Sequence, residues 1–210
     1  MEIKKIKTHF ITNADSLEKL ISKYVLREAK KGDIVVLSEK IVSIIQDRVV
    51  WKKDVKLGFW AKFLSKFVVK TPAGFSVGNP YKMQVAINTA GLPKILLASF
   101  LGGLAKFAGV RGIFYKIAGH NISRIDGFYG ETFPQYINMG ILPCKNADKI
   151  CRKLKKKFSF DFVIADVNDL GLNIIGATYA DKKFLEEALK NNPATQSNAQ
   201  TPIVIIRNHV

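Results

Sequence analysis

The sequence predicts a mixed α/β fold of the α+β kind, formed by a single domain over residues 1–210. Three observations predict it. Short apolar, β-branched runs such as Asp33–Leu37 (DIVVL) are typical of buried strands. Amphipathic stretches with helical spacing lie between them. The strands and helices do not alternate regularly, and no internal repeat is visible, so a regular βαβ series is not indicated. At 210 residues the chain is long enough to bury a sizeable core.

The N-terminal quarter predicts three strands and two helices. The predicted elements are a strand over Ile3–Ile11, an amphipathic helix over Leu17–Ala29, a strand over Asp33–Leu37, a short apolar helix and a strand over Arg48–Val50. Gly32 is expected to end the first helix, because glycine readily adopts the left-handed conformation that follows a helix. Ser38 joins the second strand to the second helix, an arrangement that suits an anion but also caps many ordinary helices.

Two apolar segments follow, and their function is open on sequence alone. Gly58–Lys70 places phenylalanines at i, i+4 and i+8 among lysines, as in helices that lie at an interface. Leu92–Gly119 is interrupted by charges and glycines, so no run of 18 or more apolar residues occurs and no membrane span is predicted. We expect both segments to form core or dimer-interface helices. Peripheral membrane contact is the less favoured alternative.

The C-terminal third again predicts strands and helices. Its predicted elements are a helix from about Asp148, strands over Asp161–Asp166, Leu172–Thr178 and Ile203–Ile206, and a helix over Asp181–Asn191.

The chain is strongly basic, with a formal net charge of +16. Lysine dominates this excess, which fits attraction to phosphorylated substrates, polyanions or membranes without choosing among them. Clustered arginine and a recognition motif are missing, so no specific nucleic-acid partner is predicted. Cys144 and Cys151 do not form a CxxC pair, and with no signal peptide in view a cytoplasmic location with reduced thiols is expected.

The segment Val163–Gly171 (VIADVNDLG) carries candidate metal ligands. Three apolar residues lead into Asp166, Asn168 and Asp169, and strand alternation places Asp166 and Asn168 on the same face. Oxygen ligands grouped this way suit Mg²⁺ or Mn²⁺ bridging to phosphate. A β-turn without metal explains the same residues, and both interpretations stay open.

The segment Ala118–Tyr136 (AGHNISRIDGFYGETFPQY) has the polar, glycine-punctuated composition of an active-site loop. His120 and Glu131 are the candidate catalytic residues, with a hydrogen-bonded structural role as the alternative for His120. Asp126 and Glu131 are also candidates for metal binding or for capping backbone amides. Walker, Rossmann, HExxH and GxSxG motifs are absent from the sequence.

Taken together, the sequence resembles the coenzyme F420-0:gamma-glutamyl ligase family, as a shorter branch of it. The blocks that carry this resemblance are GDIVVLSEKIVSIIQDRVV, AGHNISRIDG, ILPCKNADKICRKL, FVIADVNDLGLNIIGA and QSNAQTPIVIIR. The resemblance implies a two-lobed fold, often an intertwined homodimer. It also implies an enzyme that joins L-glutamate to a carboxylate of a coenzyme precursor, with GTP or ATP and a divalent metal, through an acyl phosphate.

The resemblance assigns roles residue by residue. Asp166 and Gln196 match metal-binding residues, Asn121 stands where the family has a second metal-binding aspartate, and Asp126 is a possible replacement. The positions that match nucleotide contacts are Ser38, Glu39, Arg124, Ser197 and Thr201.

The sequence also departs from the family pattern. Ile44 replaces a nucleotide-contacting lysine, Val167 replaces a threonine of the metal site, and Arg124 replaces an asparagine. A substrate segment near Ala177–Ala180 and the nucleotide motif near Thr8–Asp15 are not recognisable. A nucleotide- and metal-dependent amide ligase acting on an anionic small-molecule substrate is therefore the leading hypothesis. A non-catalytic nucleotide- or phosphate-binding relative is the alternative, and a basic nucleic-acid-binding protein is the third.

Overall fold

The computed structural model describes residues 1–68, 78–110, 112–128, 134–168, 171–190 and 200–207. It confirms a mixed α/β fold, which divides into two compact units. The terminal unit contains Met1–Arg48 together with Cys144–Val210, and the inserted unit contains Val49–Pro143. The expected homodimer and the single domain over residues 1–210 stay predictions.

The described strands and helices follow one another along both units. In chain order they are β1 (Glu2–Ile6), α1 (Leu17–Leu20), β2 (Ile34–Ser38), α2 (Glu39–Ile45), β3 (Val49–Trp51), α3 (Phe59–Ser65), α4 (Pro80–Ala90), α5 (Leu92–Phe107), α6 (Ile113–Ala118), α7 (His120–Ser123), β4 (Asp126–Gly127), β5 (Met139–Ile141), α8 (Ala147–Phe158), β6 (Asp161–Asn168), β7 (Gly171–Ala177), α9 (Lys182–Leu189) and β8 (Ile203–Arg207). A π-helical stretch (Ile21–Val25) continues α1, and 3₁₀ turns lie at Lys52–Asp54 and Pro134–Asn138.

A five-stranded sheet in the order β1-β8-β2-β6-β7 forms the centre of the terminal unit. Only β2 and β6 are parallel; the other neighbouring strands are antiparallel. Both faces of this sheet are covered. Alternate residues of β2 therefore enter two different cores, with Val35 and Leu37 in one and Ile34 and Val36 in the other. A strand buried on both faces must be apolar at successive positions, which explains the continuous run IVVL.

Helices cover the two faces of the sheet with apolar stripes. Leu20 and Ile21 of the first helix and Cys151 and Leu154 of α8 pack on one face. Leu185, Ala188 and Leu189 of α9 pack on the other. Burying one such leucine or isoleucine contributes roughly 1.5–3 kcal/mol. The sheet is therefore held mainly by apolar contacts with helices on both sides.

The inserted unit combines helices with a small antiparallel sheet in the order β3-β5-β4. Its core is separate from those of the terminal unit and includes Met83, Ile95, Ala98 and Ile122. Asn79 caps α4, because its side-chain oxygen accepts the Tyr81 N–H at 2.9 Å, and Pro80 occupies the first helical position. The sequence carried this Asn-Pro signal, yet α4 was not predicted.

Other element boundaries also differ from prediction. The first strand ends at Ile6 rather than Ile11, because Thr8 and the following residues form turns and polar contacts. The apolar segment Leu92–Gly119 is two helices, α5 and α6. Gly109 and Gly112 lie between them with positive φ angles of 77° and 83°, which break the helix. Among the described residues no helix is by itself long and apolar enough to cross a membrane. The pair α4 and α5, bent by 118°, meets that requirement only when both are taken together.

Both cysteines are buried, and neither forms a disulfide bond. Burial, together with the nearby carboxylate of Asp148, raises the pKa of Cys151 to about 12. Only the thiolate reacts with alkylating reagents, so at pH 8 this residue should react about a thousandfold more slowly than an ordinary exposed cysteine. Mass spectrometry after timed iodoacetamide treatment checks this expectation. Rapid alkylation of Cys151 in the native protein, without unfolding, would contradict it.

Candidate functional site

The carboxyl ends of β2 and β6 meet at one edge of the terminal unit's sheet. These strands are parallel, and Ser38 at the end of β2 pairs with Ala165, the residue before Asp166. In open α/β sheets, ligands bind in the crevice outside the carboxyl ends of parallel strands. Two residues that the sequence singled out, Ser38 and Asp166, therefore lie at the edge where such a site is expected.

Two further chain segments reach the same edge. The Ser38 N–H donates to the carbonyl oxygen of Pro202 at 2.9 Å, and the Thr8 N–H donates to the carbonyl oxygen of Gln200 at 3.0 Å. Thr201 lies between these two acceptors. The backbone hydrogen bonds thus bring a third predicted residue, Thr201, to the edge that already holds Ser38 and Asp166.

Strand alternation distributes these residues over both faces of the sheet. Asp166 shares its face with Phe162 and Ile164, whereas Ser38 shares the opposite face with Val36. Beside Asp166 the ladder between β6 and β7 is irregular, because Ile164 pairs with Gly176 while Ala165 pairs with Ile174. Bulges of this kind generally increase the local twist of a strand pair, and they are common next to ligand sites.

Glu39 has a different environment from the one expected of a nucleotide contact. It is buried, and its Oε1 accepts the Cys144 N–H at 2.9 Å. This hydrogen bond joins the first residue of α2 to the segment that leads into α8. A carboxylate held in this way stabilises the terminal unit, and its predicted contact with nucleotide stays a prediction.

A hydrogen-bonded group of Asp15, His9 and Tyr24 follows Thr8 and was not predicted. His9 Nε2 lies 3.0 Å from Asp15 Oδ1, and His9 Nδ1 lies 2.8 Å from the Tyr24 hydroxyl. Burial by itself would raise the pKa of Asp15, but hydrogen bonds from the Thr12 N–H and from His9 outweigh it, so the pKa lies below its ordinary value. The group fixes the segment after β1 onto the first helix. The turn residues of TNAD were the only sequence signal for it.

The inserted unit holds the other group of predicted residues. His120 and Asn121 are exposed on the one-turn helix α7, and Arg124 and Asp126 are half-buried after it. Asp126 Oδ1 accepts the Gly127 N–H at 2.8 Å, and the Ser123 hydroxyl donates to the carbonyl oxygen of His120 at 2.7 Å. The side chains of Asp126 and Ser123 therefore stabilise local turns of this segment.

Several predicted residues lie outside the part of the chain that the structure describes, namely Glu131, Asp169, Gln196 and Ser197. Of Asn168 only the backbone is described, and it pairs with Gly171. Among the described residues no three His, Cys, Asp or Glu side chains come together as a metal site. The described residues alone therefore do not build a metal centre of this kind.

Comparison with known families decides the assignment. The sequence model of the family described as F420-0:gamma-glutamyl ligase matches residues 5–167, which is well over half of the chain. The chain belongs to the F420-0:gamma-glutamyl ligase family. Membership confirms the resemblance and supports a ligase of coenzyme biosynthesis. A comparison with curated proteins gives no significant match.

The extent of the match separates the predicted residues of this F420-0:gamma-glutamyl ligase family member into two groups. It covers Ser38, Asn121, Asp126 and Asp166, and it ends at Val167 inside β6. The later polar segment, which contains Gln196, Ser197 and Thr201, lies beyond the match. Its metal-binding and nucleotide-binding assignments depend on the resemblance of QSNAQTPIVIIR and on Thr201 reaching the same sheet edge.

Proposed function

We propose that this F420-0:gamma-glutamyl ligase family member forms an amide bond between the amine of L-glutamate and a carboxylate acceptor, consuming GTP or ATP with Mg²⁺ or Mn²⁺. The observation that carries the proposal is the position of Ser38, Asp166 and Thr201 at one and the same carboxyl edge of the sheet. The acceptor is a small anionic molecule such as a coenzyme precursor.

The proposed reaction has two steps. The acceptor carboxylate oxygen attacks the γ-phosphorus of the nucleotide and releases the diphosphate, which leaves an acyl phosphate. The glutamate amine then attacks the acyl carbon, inorganic phosphate departs, and the nitrogen loses a proton to give the amide. A divalent cation, when bound, neutralises charge on the phosphate oxygens during such a transfer.

The charge of the chain suits anionic reactants. A net charge of +16 raises the local concentration of nucleotides and of carboxylate or phosphorylated acceptors around the protein. Asp166 would place a carboxylate within this positive environment at the sheet edge. Carboxylate oxygens suit Mg²⁺ and Mn²⁺, which usually bridge protein and phosphate oxygens.

The test is calorimetric titration of GTP, then ATP, with and without Mn²⁺ or Mg²⁺. We expect saturable, metal-dependent binding that Asp166→Ala weakens by at least about tenfold, since even outer-shell partners of a bound metal contribute 10–100-fold in affinity. Glu186→Ala removes an exposed carboxylate from α9 of the same unit and serves as the matched control. Metal-dependent binding that is equal in the parent and in Asp166→Ala would exclude this site.

A specific observation favours the second candidate, a binding protein without catalysis. Ile44 replaces a nucleotide-contacting lysine, and its side chain is only 3% exposed within α2. At this position the chain therefore has a core residue and no cation. Nucleotide binding without amide formation across a panel of carboxylate acceptors would support this candidate. Product formation with any acceptor would exclude it.

A further inference from the structure

A stretch of 71 residues in the inserted unit, Val55–Ile125, contains no aspartate or glutamate. The same stretch carries ten cationic side chains, Lys56, Lys62, Lys66, Lys70, Lys82, Lys94, Lys106, Arg111, Lys116 and Arg124. An uninterrupted positive segment of this length attracts anionic surfaces and repels surfaces of its own kind.

Helix α5 presents an apolar face to solvent within this positive stretch. Its exposed side chains recur at intervals of three and four residues, so they share one side of the helix, and they are Leu97, Phe100, Leu101, Leu104 and Phe107. Phe100 is 65% and Phe107 95% exposed, whereas Ile95 and Ala98 on the other side are fully buried. The helix is thus anchored to the unit by one side and exposes large apolar groups on the other. We call the exposed side the apolar α5 face.

Exposed lysines lie next to this face, and another lies on the aromatic helix α3 of the same unit. Lys94 precedes the apolar α5 face by one turn, and Lys106 adjoins Phe107; both lysines are exposed. In α3, the exposed Phe59 and Phe63 stack with ring centroids 5.8 Å apart, and Lys62 lies exposed beside them. Aromatic and leucine side chains flanked by lysines have the composition of helices that lie in the headgroup region of a bilayer.

We propose that the inserted unit docks through the apolar α5 face onto the surface of an anionic lipid membrane. The phenylalanines and leucines enter the boundary between headgroups and acyl chains, while the lysine ammonium groups contact lipid phosphates. A second copy of the chain fits this face less well. A two-fold contact places the same patch against itself, and the stretch Val55–Ile125, which contains α5, has no carboxylate side chain to offset the facing lysines.

Vesicle flotation tests the proposal with the full-length chain. Vesicles of phosphatidylcholine with 30–40% phosphatidylglycerol (roughly the anionic content that gives a negative surface potential) are compared with pure phosphatidylcholine. We expect the parent to float with the anionic vesicles and to bind the neutral vesicles at least about tenfold more weakly.

Two variants separate the apolar contribution from the charge contribution. Phe100→Ser with Phe107→Ser should lower the partition coefficient on anionic vesicles at least about tenfold. Lys94→Glu with Lys106→Glu should remove most of the preference for anionic over neutral vesicles. Leu26→Ser alters a leucine of the terminal unit that is 45% exposed, and this control should float like the parent. Circular dichroism and thermal unfolding confirm that each variant is folded.

Three outcomes would overturn the proposal. One is that the parent does not float with anionic vesicles. Another is that it floats, but both double variants float equally well. The third is that light scattering shows a parent dimer which Phe100→Ser with Phe107→Ser converts to monomer, while vesicles are not bound. That last outcome would assign the apolar α5 face to a second copy of the chain.

Discussion

Gly127→Ala is expected to destabilise the protein by about 2–5 kcal/mol, because it combines backbone strain of about 1–2 kcal/mol with overpacking of about 1–3 kcal/mol. Gly127 has a φ angle of +86°, and a Cβ at this position would lie 2.1 Å from the carbonyl oxygen of Met139. That oxygen also accepts the Phe128 N–H at 2.8 Å, so it cannot withdraw without breaking the pairing of β4 and β5. Thermal and urea unfolding measure the loss.

Gly112→Ala is the matched control for strain alone. Gly112 has a similar φ angle of +83°, but nothing lies within 4 Å of a Cβ there. The control should cost only about 1–2 kcal/mol, the backbone strain without the clash. If the two substitutions lower the free energy of unfolding by the same amount, a Cβ at Gly127 does not clash with β5. The explanation given for Gly127 is then wrong.

Asp33→Ala is expected to lower the free energy of unfolding by about 3 kcal/mol, since hydrogen bonds to charged groups contribute about 1.5–3 kcal/mol each. Asp33 is only 3% exposed, and both of its carboxylate oxygens accept from the Arg207 guanidinium, at 3.1 and 2.9 Å. The Lys30 N–H donates to the same carboxylate at 2.8 Å. The substitution therefore loses three hydrogen bonds and leaves Arg207 without its main partner.

The same residue makes stability depend on pH in the acid range. Burial alone would raise the pKa of Asp33, but the hydrogen bonds from Arg207 and Lys30 outweigh it, so the folded pKa lies below its ordinary value. A lowered folded pKa stabilises the protein above the unfolded pKa of about 3.9, and this contribution is lost as the pH falls through the folded pKa. Urea unfolding between pH 7 and pH 3 measures this dependence. On acidification the free energy of unfolding should fall less for Asp33→Asn than for the parent.

Glu186→Ala removes an exposed acid and controls for the change in net charge. At pH 7 it should change the free energy of unfolding by no more than about 0.5 kcal/mol, as most surface substitutions do. A parent and an Asp33→Asn variant that lose stability in parallel on acidification would show that other carboxylates, and not Asp33, determine the acid limit.

The sequence predicted those elements whose signals are local. The runs DIVVL and IVIIR identified β2 and β8 to within one residue, because burial dictates their residue types directly. The start of α8 was predicted at about Asp148, one residue after its first residue, Ala147. Strands β4 and β5 were not predicted. They contain two and three residues, and they exist through pairing with each other and through the close approach at Gly127, which no short window of sequence reveals.

The candidate site, like the fold, could be predicted only where its sequence signals are local. Ser38 and Asp166 each follow an apolar run, so their positions at strand ends could be inferred from the sequence. Their adjacency depends on the parallel pairing of strands about 125 residues apart, and that pairing was not predicted. The contacts of His9 with Asp15 and Tyr24, and the burial of Glu39 against Cys144, depend on tertiary packing and were not predicted.

The order of strands in the terminal unit has a consequence for synthesis on the ribosome. The strands made first, β1 and β2, do not pair with each other; β1 pairs with β8, and β2 lies between β8 and β6. Residues 49–143, in contrast, contain all three strands of their own sheet and their own core. The middle of the chain can therefore fold while it emerges, whereas the first 48 residues wait for the segment that begins at Cys144. A truncated product would leave β1 and the apolar β2 without their partner strands.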